Sequence, residues 1–109
     1  MDPNCLFCKI AKKETPAEIL QESSDIVIFK DIRPSAPVHY LAIPKRHIPS
    51  IQAISHDDEA LLGHLIHMAK ESAEKLHLAG YKLAFNVGKD GGQIIDHLHL
   101  HILGGWSKN

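Results

Sequence analysis

Residues 97–103 read His97-Leu98-His99-Leu100-His101-Ile102-Leu103, and this stretch decides the interpretation of the chain. Histidine and apolar side chains alternate, as they do on a β-strand, where successive side chains point to opposite faces. The three histidines would share one face, and the residues between them would face a core. Adjacent imidazoles gain nothing from packing that apolar side chains would not provide. We therefore interpret the histidine face as a chemical site, against the alternative of an incidental solvated surface.

The segments around this stretch predict an α+β fold with a mainly antiparallel sheet. Residues 26–29 and 39–43 are rich in β-branched and aromatic side chains and are followed by polar residues or proline, which predicts two strands. Residues 81–87 alternate with period two. They lead through the glycine-rich stretch 88–93 to the histidine strand, and we expect these two strands to pair antiparallel.

One long helix is predicted between the second and third of these strands. Ser55 and Asp58 resemble a capping box at its start, and Gly80 is the expected residue beyond its end. Apolar residues recur at intervals of three and four along it, which predicts a core-facing stripe. The stripe comprises Leu61, Leu62, Leu65, Ile66, Ala69, Ala73 and Leu76.

Length and composition favour one domain over residues 1–109. A chain of 109 residues can bury one core but not two. The formal net charge is −1 and no cluster of Lys and Arg is present, which argues against nucleic acid and anionic membranes as partners. No apolar run approaches a membrane span and no export signal is recognisable, so we expect a cytoplasmic protein. Both cysteines lie in Cys5-x-x-Cys8, which favours a metal site or a redox pair over a structural disulfide.

The histidine stretch and several other motifs resemble the histidine triad (HIT) superfamily, and within it the nucleoside phosphoramidase branch. The resemblance covers residues 5–105. It implies the HIT-like fold, with a five-stranded sheet, one long helix and a short N-terminal helix. The further matching motifs are Phe29-Lys30-Asp31-Ile32-x-Pro34, Ala36-Pro37-x-His39, Ile43-Pro44-Lys45-Arg46-His47-Ile48, Asn86-x-Gly88 and Asp90-Gly91-Gly92-Gln93.

The resemblance implies hydrolysis of purine nucleoside 5′-phosphoramidates, in which His99 attacks the α-phosphorus and forms a nucleotidyl-histidine intermediate. His101 and His39 would lie around the phosphate, where they stabilise charge or pass a proton to the leaving amine. A simpler alternative for His39 is a hydrogen-bonded core histidine. Gln93 and Asn86 would donate hydrogen bonds near the phosphate, beside the close-approaching glycines Gly91 and Gly92.

A nucleoside site is implied by further residues of the same motifs. Asp31 would accept hydrogen bonds from ribose hydroxyls, with an ordinary turn residue as the alternative. The apolar slot for a purine would comprise Leu6, Phe7, Ile10, Phe29 and Ile32, although core packing explains such residues equally well.

Cys5 and Cys8 alone indicate zinc moderately, because two more ligands are needed. The resemblance supplies them as His47 and His97, in a structural Cys₂His₂ site. His64 and His67 are rival ligands, but they lie outside the apolar stripe of the long helix and are expected to face solvent. A thiol redox function is less favoured, since no thioredoxin-like pattern surrounds the pair.

Other functions stay open at this point. They are a nucleotide-binding regulatory module, a dinucleoside polyphosphate hydrolase of the same superfamily, and a metal-dependent hydrolase whose zinc is held by His97, His99 and His101. Ile94 replaces a hydroxyl residue frequent in the phosphoramidase branch, which predicts slow turnover. Relatives form homodimers through the long helix and the strand after it, and we expect the same here, with Trp106 near the twofold axis.

Overall fold

The fold is built on one five-stranded antiparallel sheet. The computed structural model of the protein describes residues 4–106. The spatial strand order is β1-β2-β3-β5-β4, and every neighbouring pair is antiparallel. In chain order the elements are α1 (Leu6–Ala11), β1 (Ile19–Glu22), β2 (Ile26–Lys30), β3 (Val38–Pro44), α2 (Glu59–Lys75), β4 (Tyr81–Phe85) and β5 (Leu100–Gly104). The α+β class, the five strands and both helices are thereby confirmed, and β1 is an edge strand that the sequence patterns did not indicate.

The histidine strand is shorter than predicted. β5 begins at Leu100, which pairs with Ala42 of β3 and with Phe85 of β4. His97 and His99 therefore precede the strand. The ladder stops there because the backbone turns away, and the Leu98 N–H donates to the Ile48 carbonyl oxygen over 2.6 Å.

Two hydrophobic clusters cover the two faces of the sheet. One packs under α2 and the other under α1, so the central strands β2 and β3 are buried on both sides. Leu98, Leu100 and Ile102 all lie in the α2 cluster, as the alternation of residues 97–103 predicts. The α1 cluster comprises Cys5, Phe7, Cys8, Ile10, Val27, Phe29, Leu41 and Ile43.

The capping box of Ser55 and Asp58 is present, but it begins a 3₁₀ turn, and α2 itself begins later and ends earlier than predicted. The Ser55 N–H donates to Asp58 Oδ2 over 2.9 Å at the start of a single 3₁₀ turn that leads into α2. At the other end, His77 adopts a left-handed conformation with φ of 59°. The Leu78 N–H donates to the Ala73 carbonyl and the His77 N–H to the Glu74 carbonyl, which is a Schellman motif. The prediction that Gly80 ends the helix is wrong, because His77 takes that conformation instead.

The buried face of α2 differs from the predicted stripe at three residues, because Met68 and Ser72 are buried and Ile66 is not. Leu65, Met68, Ala69, Ser72 and Ala73 are buried. Ile66, predicted to face the core, has 46% of its surface exposed. Among residues 4–106, no helix combines the length and the apolar character needed to span a membrane.

Candidate active site and metal centre

His99 lies on the sheet face covered by α1, opposite the leucines of its own segment. Its imidazole is buried and packs edge to face on Phe7, with ring centroids 5.1 Å apart. Its Nδ1 lies 2.7 Å from the main-chain oxygen of His97. A carbonyl oxygen can only accept, so Nδ1 carries a proton, and in the neutral form of the ring Nε2 keeps a lone pair. A neutral imidazole held in this way is suited to nucleophilic attack.

His39 and His101 form an imidazole pair beside His99. His39 Nε2 lies 2.9 Å from His101 Nδ1, and the ring centroids of His99 and His101 are 4.9 Å apart. β3 and β5 place the pair, because His39 and His101 occur on neighbouring strands of the sheet. Asp31, directly after β2, has its Oδ2 3.4 Å from His39 Nε2. The three predicted catalytic histidines are therefore brought together.

Burial disfavours the charged form of both histidines of the pair. Burial lowers the pKa of His39, and the charge of Asp31 opposes that shift. Burial, aided by the nearby imidazoles of His99 and His39, lowers the pKa of His101 to about 4. The two imidazoles therefore provide hydrogen-bonding groups to the site without adding positive charge.

The glycine-rich loop lies next to the histidine pair. The side-chain nitrogen Nδ2 of Asn86 lies 3.4 Å from His101 Nε2. Gly92 has φ of +89° and borders Asn86, so a side chain there would be strained. Gln93 Oε1 accepts from the Gly88 N–H, and Gln93 Nε2 donates to two carbonyl oxygens, those of Pro49 and Ile95. Gln93 thus holds the loop together with its side-chain N–H groups directed at these two carbonyls and not at the histidines, whereas Asn86 is exposed and borders the histidines.

The predicted purine slot divides into buried and exposed residues. Phe7, Ile10 and Phe29 belong to the α1 cluster and are no more than 6% exposed. Leu6 is 40% and Ile32 87% exposed, so these two offer apolar surface to a ligand. Asp31 Oδ1 accepts from the Arg33 N–H over 2.8 Å.

A second cluster contains both thiols. The ligand atoms of Cys5, Cys8, His47 and His97 all lie within 4.8 Å of one another. Cys5 Sγ lies 3.3 Å from His97 Nδ1, Cys8 Sγ lies 3.3 Å from His47 Nδ1, and the two Nδ1 atoms are 3.2 Å apart. Donors about 2.0–2.3 Å from a tetrahedral ion stand roughly 3.3–3.8 Å apart, so the four residues fit one metal ion.

The orientation of His97 favours a metal ligand. Its Nε2 lies 2.8 Å from the Pro44 carbonyl oxygen and so carries the proton, which leaves Nδ1 with a lone pair facing the thiols. Burial lowers the pKa of His97 to about 4, which keeps the imidazole neutral as a ligand requires. His64 and His67 are exposed on α2 and do not belong to the cluster.

Two contributors could not be recognised from the sequence. The Pro44 carbonyl orients His97, and the Ser35 main-chain N–H donates to His39 Nδ1 over 3.0 Å. Both act through the backbone, so no residue type signals them. Only the tertiary arrangement reveals their partners.

Comparisons with known proteins agree with this geometry. The family model described as "Scavenger mRNA decapping enzyme C-term binding" matches residues 4–109. Protein HitA of Neisseria gonorrhoeae is 46% identical over 102 residues, which cover 93% of this chain and 95% of that protein. The chain belongs to the HIT family. Among solved structures, a HIT family hydrolase from Legionella pneumophila Philadelphia 1 is 50% identical with a TM-score of 0.91, covering 94% of this chain and 93% of that one. A histidine triad protein from Clostridium difficile is 33% identical with a TM-score of 0.94, covering 100% and 96%.

These matches make the chain a HIT family hydrolase-like protein. Within the described part of this HIT protein, the triad histidines do not converge on one metal position. His97 belongs to the thiol cluster, whereas His101 groups with Asp31 and His39. A zinc hydrolase using all three triad histidines is therefore disfavoured.

Proposed function

We propose that this HIT protein hydrolyses the P–N bond of purine nucleoside 5′-phosphoramidates through a nucleotidyl-His99 intermediate. The single observation that carries the proposal is the bond from His99 Nδ1 to the His97 carbonyl oxygen. It leaves Nε2 unprotonated in a site where two further imidazoles can face a phosphate.

The reaction consists of two displacements at phosphorus. His99 Nε2 attacks the α-phosphorus, the P–Nε2 bond forms, and the bond to the amine breaks while the amine nitrogen takes up one proton. Water then attacks the same phosphorus, and the P–Nε2 bond breaks. The proton lost by water balances the one taken by the amine, and the nucleoside monophosphate leaves.

The remaining site residues bind and orient the substrate. His101 and His39 act on the phosphoryl oxygens or the leaving amine. Asn86 donates a hydrogen bond to the phosphate. The loop of Gly91, Gly92 and Gln93 leaves room for the phosphate to approach the backbone. Asp31 accepts from the ribose, and Leu6 and Ile32 offer the exposed part of an apolar purine site whose floor is formed by Phe7, Ile10 and Phe29.

We further propose that Cys5, Cys8, His47 and His97 hold a structural zinc ion. The support is the donor set, the spacing of its atoms, and the Pro44 carbonyl that directs His97 Nδ1 to the thiols. Bound zinc would link the start of α1 to two loops: the loop before α2, which contains His47, and the loop before β5, which contains His97. Ligand thiolates require a reducing compartment, which is consistent with a cytoplasmic protein.

A symmetric homodimer completes the proposal. β4 is an edge strand with Leu83 37% exposed, and Ile66 of α2 is also exposed. An apolar edge strand left open is prone to pair with another chain. A twofold contact between β4 and α2 of two copies would cover it.

The decisive experiment is incubation with adenosine 5′-phosphoramidate. Release of AMP and recovery of a covalent nucleotidyl protein after rapid denaturation are expected. A regulatory module would bind AMP without turnover. A dinucleoside polyphosphate hydrolase would cleave the dinucleotide faster than the phosphoramidate.

A further inference from the structure

The hydrogen bond from the Ser35 N–H to His39 Nδ1 determines more than the position of one ring. We propose that the Ser35 main-chain N–H fixes the tautomers of both His39 and His101, so that His101 presents a protonated Nε2 to the substrate. This inference rests on the proposed function for its catalytic consequence. The tautomers themselves can be observed without substrate.

The first step concerns His39. A backbone N–H is always a donor, so His39 Nδ1, 3.0 Å away, must accept and cannot carry a proton. A neutral imidazole has one N–H group. The proton of His39 is therefore on Nε2.

The second step derives the tautomer of His101 from that of His39. His39 Nε2 lies 2.9 Å from His101 Nδ1 and 3.4 Å from Asp31 Oδ2, so the shorter contact is to His101. Two protonated nitrogens cannot face each other at 2.9 Å. His101 Nδ1 must accept, which places the His101 proton on Nε2.

The opposite order of donors does not fit the structure. If the Asn86 amide donated to His101 Nε2, 3.4 Å away, His101 would carry its proton on Nδ1 and donate to His39 Nε2. His39 Nδ1 would then be protonated and would face the Ser35 N–H. Rotation of the Asn86 amide by 180° exchanges its oxygen and nitrogen, whereas the backbone donor cannot change. The structure places Asn86 Nδ2 next to His101 Nε2, and the proposal therefore requires the rotated amide, in which Asn86 Oδ1 accepts from His101 in the free protein.

Protonation of either ring does not disturb this arrangement near neutral pH. Burial lowers the pKa of both His39 and His101, so each ring carries a single proton. His101 is then a neutral hydrogen-bond donor to a phosphoryl oxygen, not an imidazolium acid. The neighbouring His99 has the opposite tautomer, with its proton on Nδ1. Nε2 of neutral His99 therefore offers a lone pair, and Nε2 of His101 offers an N–H group.

The positions of the histidine protons also distinguish the two clusters whose residue types could bind a metal. Asp31, His39 and His101 lie close enough to hold a cation. Occupation of His39 Nε2 by a metal would move the His39 proton to Nδ1, against the Ser35 N–H. The thiol cluster has the opposite arrangement, since a carbonyl accepts from His97 and frees the nitrogen that faces the thiols.

Two-bond ¹H–¹⁵N correlation spectra of ¹⁵N-histidine-labelled protein near neutral pH test the proposal directly. In the free wild-type protein we expect the Nε2–H tautomer for His39 and His101. Finding His101 protonated on Nδ1 would overturn the proposal, whether or not the protein cleaves phosphoramidates. Conversely, these tautomers in a protein that releases no AMP would leave the proposal standing and refute the proposed function.

A pair of variants tests the role of Ser35. Ser35→Pro removes the main-chain donor, and Ser35→Ala removes only the hydroxyl, at a position that is exposed. We expect mixed tautomers for His39 in Ser35→Pro and wild-type tautomers in Ser35→Ala. The kcat of Ser35→Pro should be about tenfold below that of Ser35→Ala, as for loss of one hydrogen bond, with little change in KM. Unchanged tautomers in a folded Ser35→Pro protein would contradict the proposal, and the wild-type spectrum decides it if that variant does not fold.

Discussion

The main-chain oxygen of His97 lies 2.7 Å from His99 Nδ1, while the His97 imidazole faces the thiols of Cys5 and Cys8. One residue therefore belongs to two sites. Its side chain completes the candidate metal centre, and its backbone orients the proposed nucleophile. Phe7, between the two cysteines in sequence, packs on the rings of both His97 and His99. Phe7 thus connects the candidate metal centre to the imidazole of the proposed nucleophile.

Replacement of the nucleophile is the first prediction. His99→Ala should lower release of AMP from adenosine 5′-phosphoramidate by several orders of magnitude, because no neighbouring group can attack from the same position. No covalent nucleotidyl protein should be recovered. His67→Ala, at an exposed histidine of α2, is the matched control and should behave as wild type. Turnover near the wild-type rate in His99→Ala would falsify the nucleophile assignment.

Metal content is the second prediction. Elemental analysis of the purified protein should find about one zinc ion per chain, held by Cys5, Cys8, His47 and His97. Cys8→Ser should lose the ion, whereas His64→Ala should keep it, because His64 lies outside the cluster. A chain that contains no zinc although its thiols are reduced would contradict the site, as would loss of zinc in His64→Ala.

Removal of the metal is expected to affect stability before chemistry. Chelation should lower the Tm of the wild-type protein and leave the Tm of Cys8→Ser unchanged, since that variant holds no ion to remove. Turnover should disappear with the folded fraction. Complete loss of turnover in chelated protein that keeps its Tm would instead indicate a catalytic ion.

The pH dependence of stability follows from His101. Its pKa is lowered from 6.5 to about 4 by burial and by the imidazoles of His99 and His39, against the opposing charge of Asp31. The unfolded chain therefore binds more protons between these values, and the stability contributed by neutral His101 is present above pH 6.5 and is lost as the pH falls toward 4. His101→Gln removes this contribution.

The measurement is the urea concentration at the midpoint of unfolding, determined at several pH values between 6.5 and about 4. The wild-type midpoint should fall more steeply than that of His101→Gln. The candidate metal ligands are the same in both proteins, so the difference between the two slopes reports His101. His67→Gln should follow the wild-type slope. Parallel slopes for wild type and His101→Gln would show that His101 does not titrate as described.

The sequence allowed the α+β class and the shared face of the histidines to be predicted, because strands and helices leave periodic patterns of side chains. Side-chain patterns did not predict the end of α2 or the start of β5, because main-chain conformation and main-chain hydrogen bonds determine both. Gly80 seemed to end α2, but His77 adopts the left-handed conformation that glycine usually supplies. His97 and His99 alternate correctly with the leucines, yet they precede β5, because Leu98 bonds to Ile48 and not to a strand partner. Spacing alone also could not connect Cys5 and Cys8 to His47 and His97, which are distant in sequence.

Assembly is the last prediction. β4 pairs with β5 on one side, and no strand of residues 4–106 pairs with its other side. Trp106, 53% exposed, lies with its ring 5.2 Å from Lys82 Nζ on this edge, and Leu83 and Ile66 add exposed apolar surface. Light scattering at micromolar concentration should therefore give about twice the 12.1 kDa mass of the chain.

A charged residue on the open edge tests the location of the contact. Leu83→Arg should shift the mass toward the monomer, because two copies of the new charge would meet across a twofold axis. Ile32→Arg is the matched control, since Ile32 is more exposed but follows β2, which two strands separate from β4. It should keep the dimer mass. A wild-type mass near 12.1 kDa would refute the dimer and leave the catalytic predictions untouched, and a dimer that persists in Leu83→Arg would place the contact elsewhere.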